Sequence, residues 1–117
     1  MSHETTLRAV YDAMNNQQVD AIVSHIAEDA VFHLLPNPLL PATTLEGRDA
    51  IKKFMDDHIT DLAIQQQIEQ IAVSGDFATA FVVSTSKGED GAPLTVHWAD
   101  TYQFVGDQIA QHVSLAG

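Results

Sequence analysis

The sequence predicts an α+β fold, with helices first and an antiparallel meander afterwards. Three observations carry this. The N-terminal half places apolar residues at i, i+3, i+4 and i+7, as one face of a helix requires. The C-terminal half holds four strand-like runs. Turn signals separate those runs: Ser74-Gly75-Asp76, Lys87-Gly88-Glu89-Asp90-Gly91 and Gly106-Asp107. Helices segregated from strands along a chain are the α+β pattern.

Each element follows in order. Leu7, Val10, Tyr11 and Met14 share one helical face, so a first helix is expected over about residues 4–15. Asn15-Asn16-Gln17-Gln18 is a polar break. Val19, Ile22, Val23 and Ile26 repeat the pattern in a second, shorter helix. Residues 30–35 read as a short strand stopped by Pro36. Residues 36–44 form a loop with three prolines and the pair Leu39-Leu40, apolar enough to pack over something. Gly47 precedes a third helix with Ile51, Phe54, Met55 and Ile59 on one face and charges along its middle. The four strands are expected at about residues 64–74, 77–86, 94–104 and 108–115.

Composition narrows the function. The 117 residues suit one domain over 1–117, able to bury roughly 70% of its unfolded surface. There is no cysteine, hence no disulfide framework and no thiolate chemistry. The polar N-terminus and the lack of any membrane-length apolar run make a cytoplasmic protein the expectation. A net charge of −11, from 5 basic and 16 acidic residues, argues against nucleic acid and against anionic membranes as partners. Few cations are left for phosphate-rich cofactors, and Gly88 and Gly91 sit in a turn rather than before a helix, so no cofactor is expected. No metal is expected either. None of the 6 histidines stands at i, i+4 to another on one helix, and His3, His25 and His58 fall on polar faces or the terminus.

One residue breaks the apolar pattern informatively. Leu94, Val96, Trp98, Tyr102 and Phe104 share one side of their strand, and Asp100 falls on that same side. A carboxylate there is costly to bury unless it is paired or protonated. Tyr11, on the apolar face of the first helix, needs a partner for its phenol, and Asp100 or a ligand oxygen could serve.

His112 depends on a turn. If Gly106-Asp107 is a two-residue hairpin loop, Thr101 lies opposite His112, which then points away from Asp100. A longer loop or a bulge would place Asp100 opposite His112.

Several segments together resemble a known family. They are Tyr11-Asp-Ala-Met-Asn15, Val19-Asp-Ala-Ile-Val23, Ala27-Glu-Asp-Ala-Val-Phe-His33, Glu46-Gly-Arg-Asp-Ala-Ile51 and Asp100-Thr-Tyr-Gln-Phe104. In this order and spacing the chain resembles a nuclear transport factor 2-like domain of the SnoaL-like and ketosteroid isomerase-like kind. The resemblance implies a cone-shaped, cystatin-like fold, with N-terminal helices packed on a curved antiparallel sheet. It implies an apolar pocket for a small hydrophobic molecule and a homodimer through the outer sheet face. His97, Ala99, Thr101 and Gln103 suit that outer face or a solvated one.

The resemblance also assigns roles. Asp100 matches the pocket acid, which donates a proton-bearing hydrogen bond in ketosteroid isomerases and resembles the proton-transferring aspartate of SnoaL-like cyclases. Tyr11 matches the tyrosine that shares the oxyanion hole with that acid. The isomerase base, an aspartate, aligns with Leu34, so steroid isomerase activity by that mechanism is not expected. His33 lies in Val31-Phe-His-Leu-Leu-Pro36, which resembles a Trp-His-Val-Pro-Gly-type segment of SnoaL-like domains. Strand alternation points it away from Leu34. Family alignment turns His112 toward the pocket, where the bare turn rule turns it outward.

The expected catalytic set is therefore Asp100, Tyr11, His112 and His33. Val10, Met14, Phe32, Leu34, Leu39, Phe54, Trp98 and Tyr102 are expected to line the ligand. The expected function is proton movement on a hydrophobic carbonyl compound, of isomerase or cyclase type. The alternative is a non-catalytic ligand-binding or dimerisation module.

Overall fold

The computed structural model describes residues 2–87 and 90–116. The elements run α1 (His3–Asn15), α2 (Val19–Val23), β1 (Ile26–Leu34), β2 (Thr43–Glu46), α3 (Arg48–Leu62), β3 (Gln65–Ser74), β4 (Phe77–Lys87), β5 (Pro93–Val105) and β6 (Gln108–Ala116). The strands form one sheet in the order β2-β1-β6-β5-β4-β3. The helices pack against its inner face, and Leu7, Tyr11, Ile22 and Ile51 are almost wholly buried there. Gly88 and Glu89 of the expected turn lie outside the described residues.

Helix α1 forms where its apolar spacing places it. Ser2 Oγ accepts the Thr5 backbone N–H at 3.1 Å and caps its start. Its end is a Schellman closure: Gln18 N–H reaches Ala13 O at 2.8 Å and Gln17 N–H reaches Met14 O at 3.0 Å. Gln17 carries the left-handed conformation that this closure demands, with φ 56°.

The region after α2 departs from expectation. Ile26 does not continue that helix but opens β1, pairing in parallel with Ile109. The backbone explains it: His25 O accepts Ile109 N–H at 2.8 Å, so the sheet captures the chain before another helical turn can close. Residues 43–46, expected as loop or left unassigned, are a short edge strand whose Thr43 and Thr44 pair with Leu34 and His33. Gly47, at φ 92°, ends it, and its N–H donates to Ala30 O at 2.7 Å before α3 begins. That backbone conformation favours glycine.

The meander β3-β4-β5-β6 is antiparallel throughout, but β1 joins β6 in parallel, so the sheet is mixed rather than purely antiparallel. The β5–β6 hairpin combines a two-residue loop with a bulge. Val105 pairs with Gln108 across the two-residue loop, and Gly106 takes φ 61° at its first position. Phe104 then pairs with Ile109, but Gln103 pairs with Gln111, leaving Ala110 as a one-residue bulge. The bulge shifts the alternation by one. Ile109 and His112 both face inward despite an odd separation.

Candidate functional site

The bulge decides which β6 side chains meet Asp100. With Thr101 facing Val113, the pairs on the inner face are Tyr102 with His112 and Asp100 with Ser114. Asp100 is 5% exposed. Its partner directly across the ladder is thus Ser114, not His112. Ser114 donates its hydroxyl to Asp100 Oδ1 at 2.7 Å. From the helical side, Tyr11 donates its hydroxyl to Oδ2 at 2.6 Å. Tyr102 Oη lies 2.6 Å from Tyr11 Oη. A phenol has one proton, and Tyr11 spends its own on the carboxylate. Tyr102 is therefore the donor in that second bond.

Burial, followed by the nearby phenol and Asp100 charges, pushes the Tyr11 hydroxyl well above its ordinary pKa. Burial and then Asp100 do the same to Tyr102. Both phenols therefore keep their protons near neutral pH and act as donors. The result is a directed chain, Tyr102 to Tyr11 to Asp100, closed from the other side by Ser114.

His112 stands beside this chain. Its ring stacks on Tyr102 at 4.4 Å between centroids and meets Phe32 edge-on at 4.8 Å. Nδ1 lies 3.2 Å from the Thr101 carbonyl oxygen. A carbonyl only accepts, so Nδ1 carries the proton and the neutral ring presents Nε2 as a lone pair. Burial holds the imidazole below its ordinary pKa, with Asp100 and the Thr101 carbonyl opposing that shift in part. At neutral pH His112 is thus an uncharged ring with an acceptor nitrogen.

A cavity of about 160 Å³ lies over these groups. Asp100, His112, Val10, Met14, Phe32, Leu34, Leu39, Phe54, Trp98 and Tyr102 all line it. Leu39 and Leu40 reach it from the proline-rich loop, which Asn37 holds by accepting both their N–H groups at 2.9 Å. No lysine or arginine lines it among the described residues. The volume sits below the ~300–1,000 Å³ of usual ligand pockets, which restricts the ligand to a small ring system.

Two expected residues stand elsewhere. Tyr11 is 1% exposed and is not among the lining residues; it lies behind Asp100, where its hydroxyl is consumed by side chains rather than offered to a ligand. His33 is exposed on the outer sheet face, with Nδ1 3.5 Å from Thr44 Oγ1. Alternation sends Phe32 and Leu34 inward and His33 outward, so it cannot serve the cavity. His58, assigned to a polar face, instead lines the cavity and packs against Phe54 at 4.5 Å.

Ser114 and Ser84 were not anticipated. Ser114 follows from alternation once His112 is known to face inward. Ser84 lies on the inner face of β4 and accepts the Trp98 indole N–H at 2.7 Å. No group of three His, Cys, Asp or Glu side chains capable of holding a metal occurs among the described residues. Nor is any helix among them long and apolar enough to cross a membrane.

The chain is a member of the SnoaL-like domain family, whose model matches residues 7–112. No curated protein matches as a relative. Solved structures share the architecture. An NTF2-like protein of unknown function from Burkholderia pseudomallei superposes with a TM-score of 0.87 at 16% identity, over 100% of this chain and 92% of its own. TerC, co-crystallised with polyporic acid, superposes at 0.85 with 15% identity, over 98% and 91% of the two chains. SalBIII, an epoxide hydrolase/cyclase-like enzyme of pyran ring formation in salinomycin, gives 0.83 at 15% identity, over 98% and 90%. At such identities the likeness establishes the NTF2-like fold and no more.

Proposed function

We propose that this protein is an enzyme that moves a proton on a small, neutral, largely apolar carbonyl compound, in the manner of an isomerase or cyclase. The observation that carries this reading is the tautomer of His112. Its Nδ1–H is committed to the Thr101 carbonyl, so the opposite nitrogen is a base within an apolar cavity. His112 Nε2 takes the proton α to the carbonyl. The nearby charge of Asp100 and the stacked face of Tyr102 favour the resulting imidazolium. The enolate then recovers that proton at another carbon, or attacks a second carbonyl whose oxygen receives it. The likeness in fold to SalBIII, a cyclase-like enzyme, is in keeping with this reaction class.

In this reading Asp100 balances charge and Tyr11 positions it. Tyr11 is not part of an oxyanion hole, because its proton is already spent. Leu34 fills the place of an isomerase base and leaves His112 to supply that function.

The test is deuterium incorporation from deuterium oxide into 2-tetralone, an enone and a β-dicarbonyl. Wild-type protein accelerates exchange, and His112→Asn abolishes it. Exchange that is absent in the wild type, or unchanged in His112→Asn, overturns the proposal. One observation favours a non-catalytic binder instead: both Asp100 oxygens already hold internal hydrogen bonds. Binding of 2-tetralone without exchange would select that reading.

The outer sheet face supports a homodimer. Phe81, Ala99 and Leu115 form one register row across three strands, with Phe81 42% and Leu115 48% exposed. His97 and Thr101 flank that row. Phe81→Glu should convert a dimer to monomer in sedimentation analysis, and a wild-type monomer would exclude this arrangement.

A further inference from the structure

The cavity has a second polar point, remote from Asp100. Ser84 is 1% exposed and lines the cavity from β4. Its oxygen accepts the Trp98 indole N–H at 2.7 Å. An indole only donates, so the Ser84 hydroxyl proton is not consumed in that bond. Among the described residues no acceptor takes it. Gln66, its register partner on β3, gives its side-chain N–H to Met14 Sδ at 3.4 Å and forms no hydrogen bond with Ser84. Accepting from Trp98 also polarises the hydroxyl and strengthens it as a donor.

We infer that Ser84 is a ligand-binding residue that donates a hydrogen bond to an oxygen at the far end of the substrate from its reacting carbonyl. The spacing follows from register. Asp100 faces Ala80 on β4, and Ser84 is four residues beyond it. That is about 13 Å along the strand. Allowing a hydrogen bond at Ser84 and a contact of similar length between Asp100 and the reacting end of the substrate leaves a ligand span of roughly 8 Å. Most of the lining is apolar, Val10, Phe32, Phe54 and Trp98 among others. The substrate class is therefore a flat, neutral, one- or two-ring ketone with an ether, carbonyl or hydroxyl oxygen on the side opposite the reacting carbonyl. This assignment rests on the proposed proton-transfer reading for the ketone end, but the Ser84 contact is read by binding alone.

The probes are 2-tetralone and 6-methoxy-2-tetralone, which differ by one oxygen at about that spacing. Trp98 is the single tryptophan of the chain and lines the cavity, so its fluorescence reports occupancy. Wild-type protein should bind the methoxy compound about three- to tenfold more tightly, the worth of one neutral hydrogen bond. In Ser84→Ala that ratio falls to near one. Trp98→Phe, measured by calorimetry, keeps the hydroxyl but loses its polarisation, and gives an intermediate ratio.

A ratio near one in the wild type overturns the inference. So does a ratio that survives Ser84→Ala, or a loss shared equally by both ligands, which marks a merely structural serine. Failure of either tetralone to bind overturns it as well. The proton-transfer reading fails separately, by exchange that ignores His112.

Discussion

Ser114 and Asp100 face each other across the β5–β6 ladder, and the serine hydroxyl donates to Oδ1 at 2.7 Å. The carboxylate is thereby held between a strand serine and a helix tyrosine. Ser114→Ala removes one of its two donors and leaves Oδ1 without a protein partner. The expected cost is about 1–3 kcal/mol of unfolding free energy, as for a buried acceptor left bare. Urea denaturation of the variant measures it, and an unchanged midpoint would contradict the role given to Ser114.

Tyr11→Phe should cost more than Tyr102→Phe. The first breaks two hydrogen bonds, to Asp100 and to Tyr102, while the second breaks one. The two hydroxyls act in series, so the changes should couple by about 0.5–3 kcal/mol in a double-mutant cycle. Additive losses would show that the phenols act independently.

The His112 environment gives stability a definite pH dependence. Its folded-state pKa lies below the ordinary histidine value because burial penalises the imidazolium. The unfolded state therefore binds this proton more readily. The contribution is fully present above the unfolded-state pKa of about 6.5, and is lost as pH falls through the lower folded-state value. Melting temperature should decline on this account as the buffer is taken from neutral toward pH ~5. His112→Gln should flatten that part of the profile. Proton exchange should fall over the same acid range, since only the neutral ring is a base.

Gln17 holds a left-handed backbone at the Schellman closure of α1. A glycine there avoids the Cβ strain of that conformation, worth about 1 kcal/mol. Gln17→Gly should raise stability by somewhat less, because glycine loses more freedom on folding. A shift of the urea midpoint to lower concentration would refute this account.

The sequence carried the helices and the meander because their signals are local. Amphipathic spacing around Leu7 and Ile51, and the glycines at 75 and 106, act within a few residues of themselves. Ile26 carries the apolar spacing of α2 yet opens β1, because the force that ends α2 is a backbone bond from Ile109, more than eighty residues later. Asp100 was legible as an acid out of place, since alternation along one strand is enough to see it. Its partners were legible only in part. Tyr11 could be named as a candidate, but not that its hydroxyl would be spent on the carboxylate. Ser114 needed the register of a second strand, which a single extra residue controls. His33 drew attention by resemblance, although strand parity had already turned it away.

That extra residue is Ala110. Acting as a phase switch, it makes β6 a strand whose two faces could trade identities. Were it paired in a regular ladder instead of bulged out, Gln111 and Val113 would turn inward, while His112 and Ser114 would surface among the apolar side chains of the outer face. Closing the bulge with Ala110 retained would thus remove the base, bare the carboxylate and disturb the prospective subunit contact together, whereas deleting Ala110 would leave these pairings in place. The chemistry of the cavity and the pairing of subunits are not independently variable here, because both are written on the same strand in opposite parity.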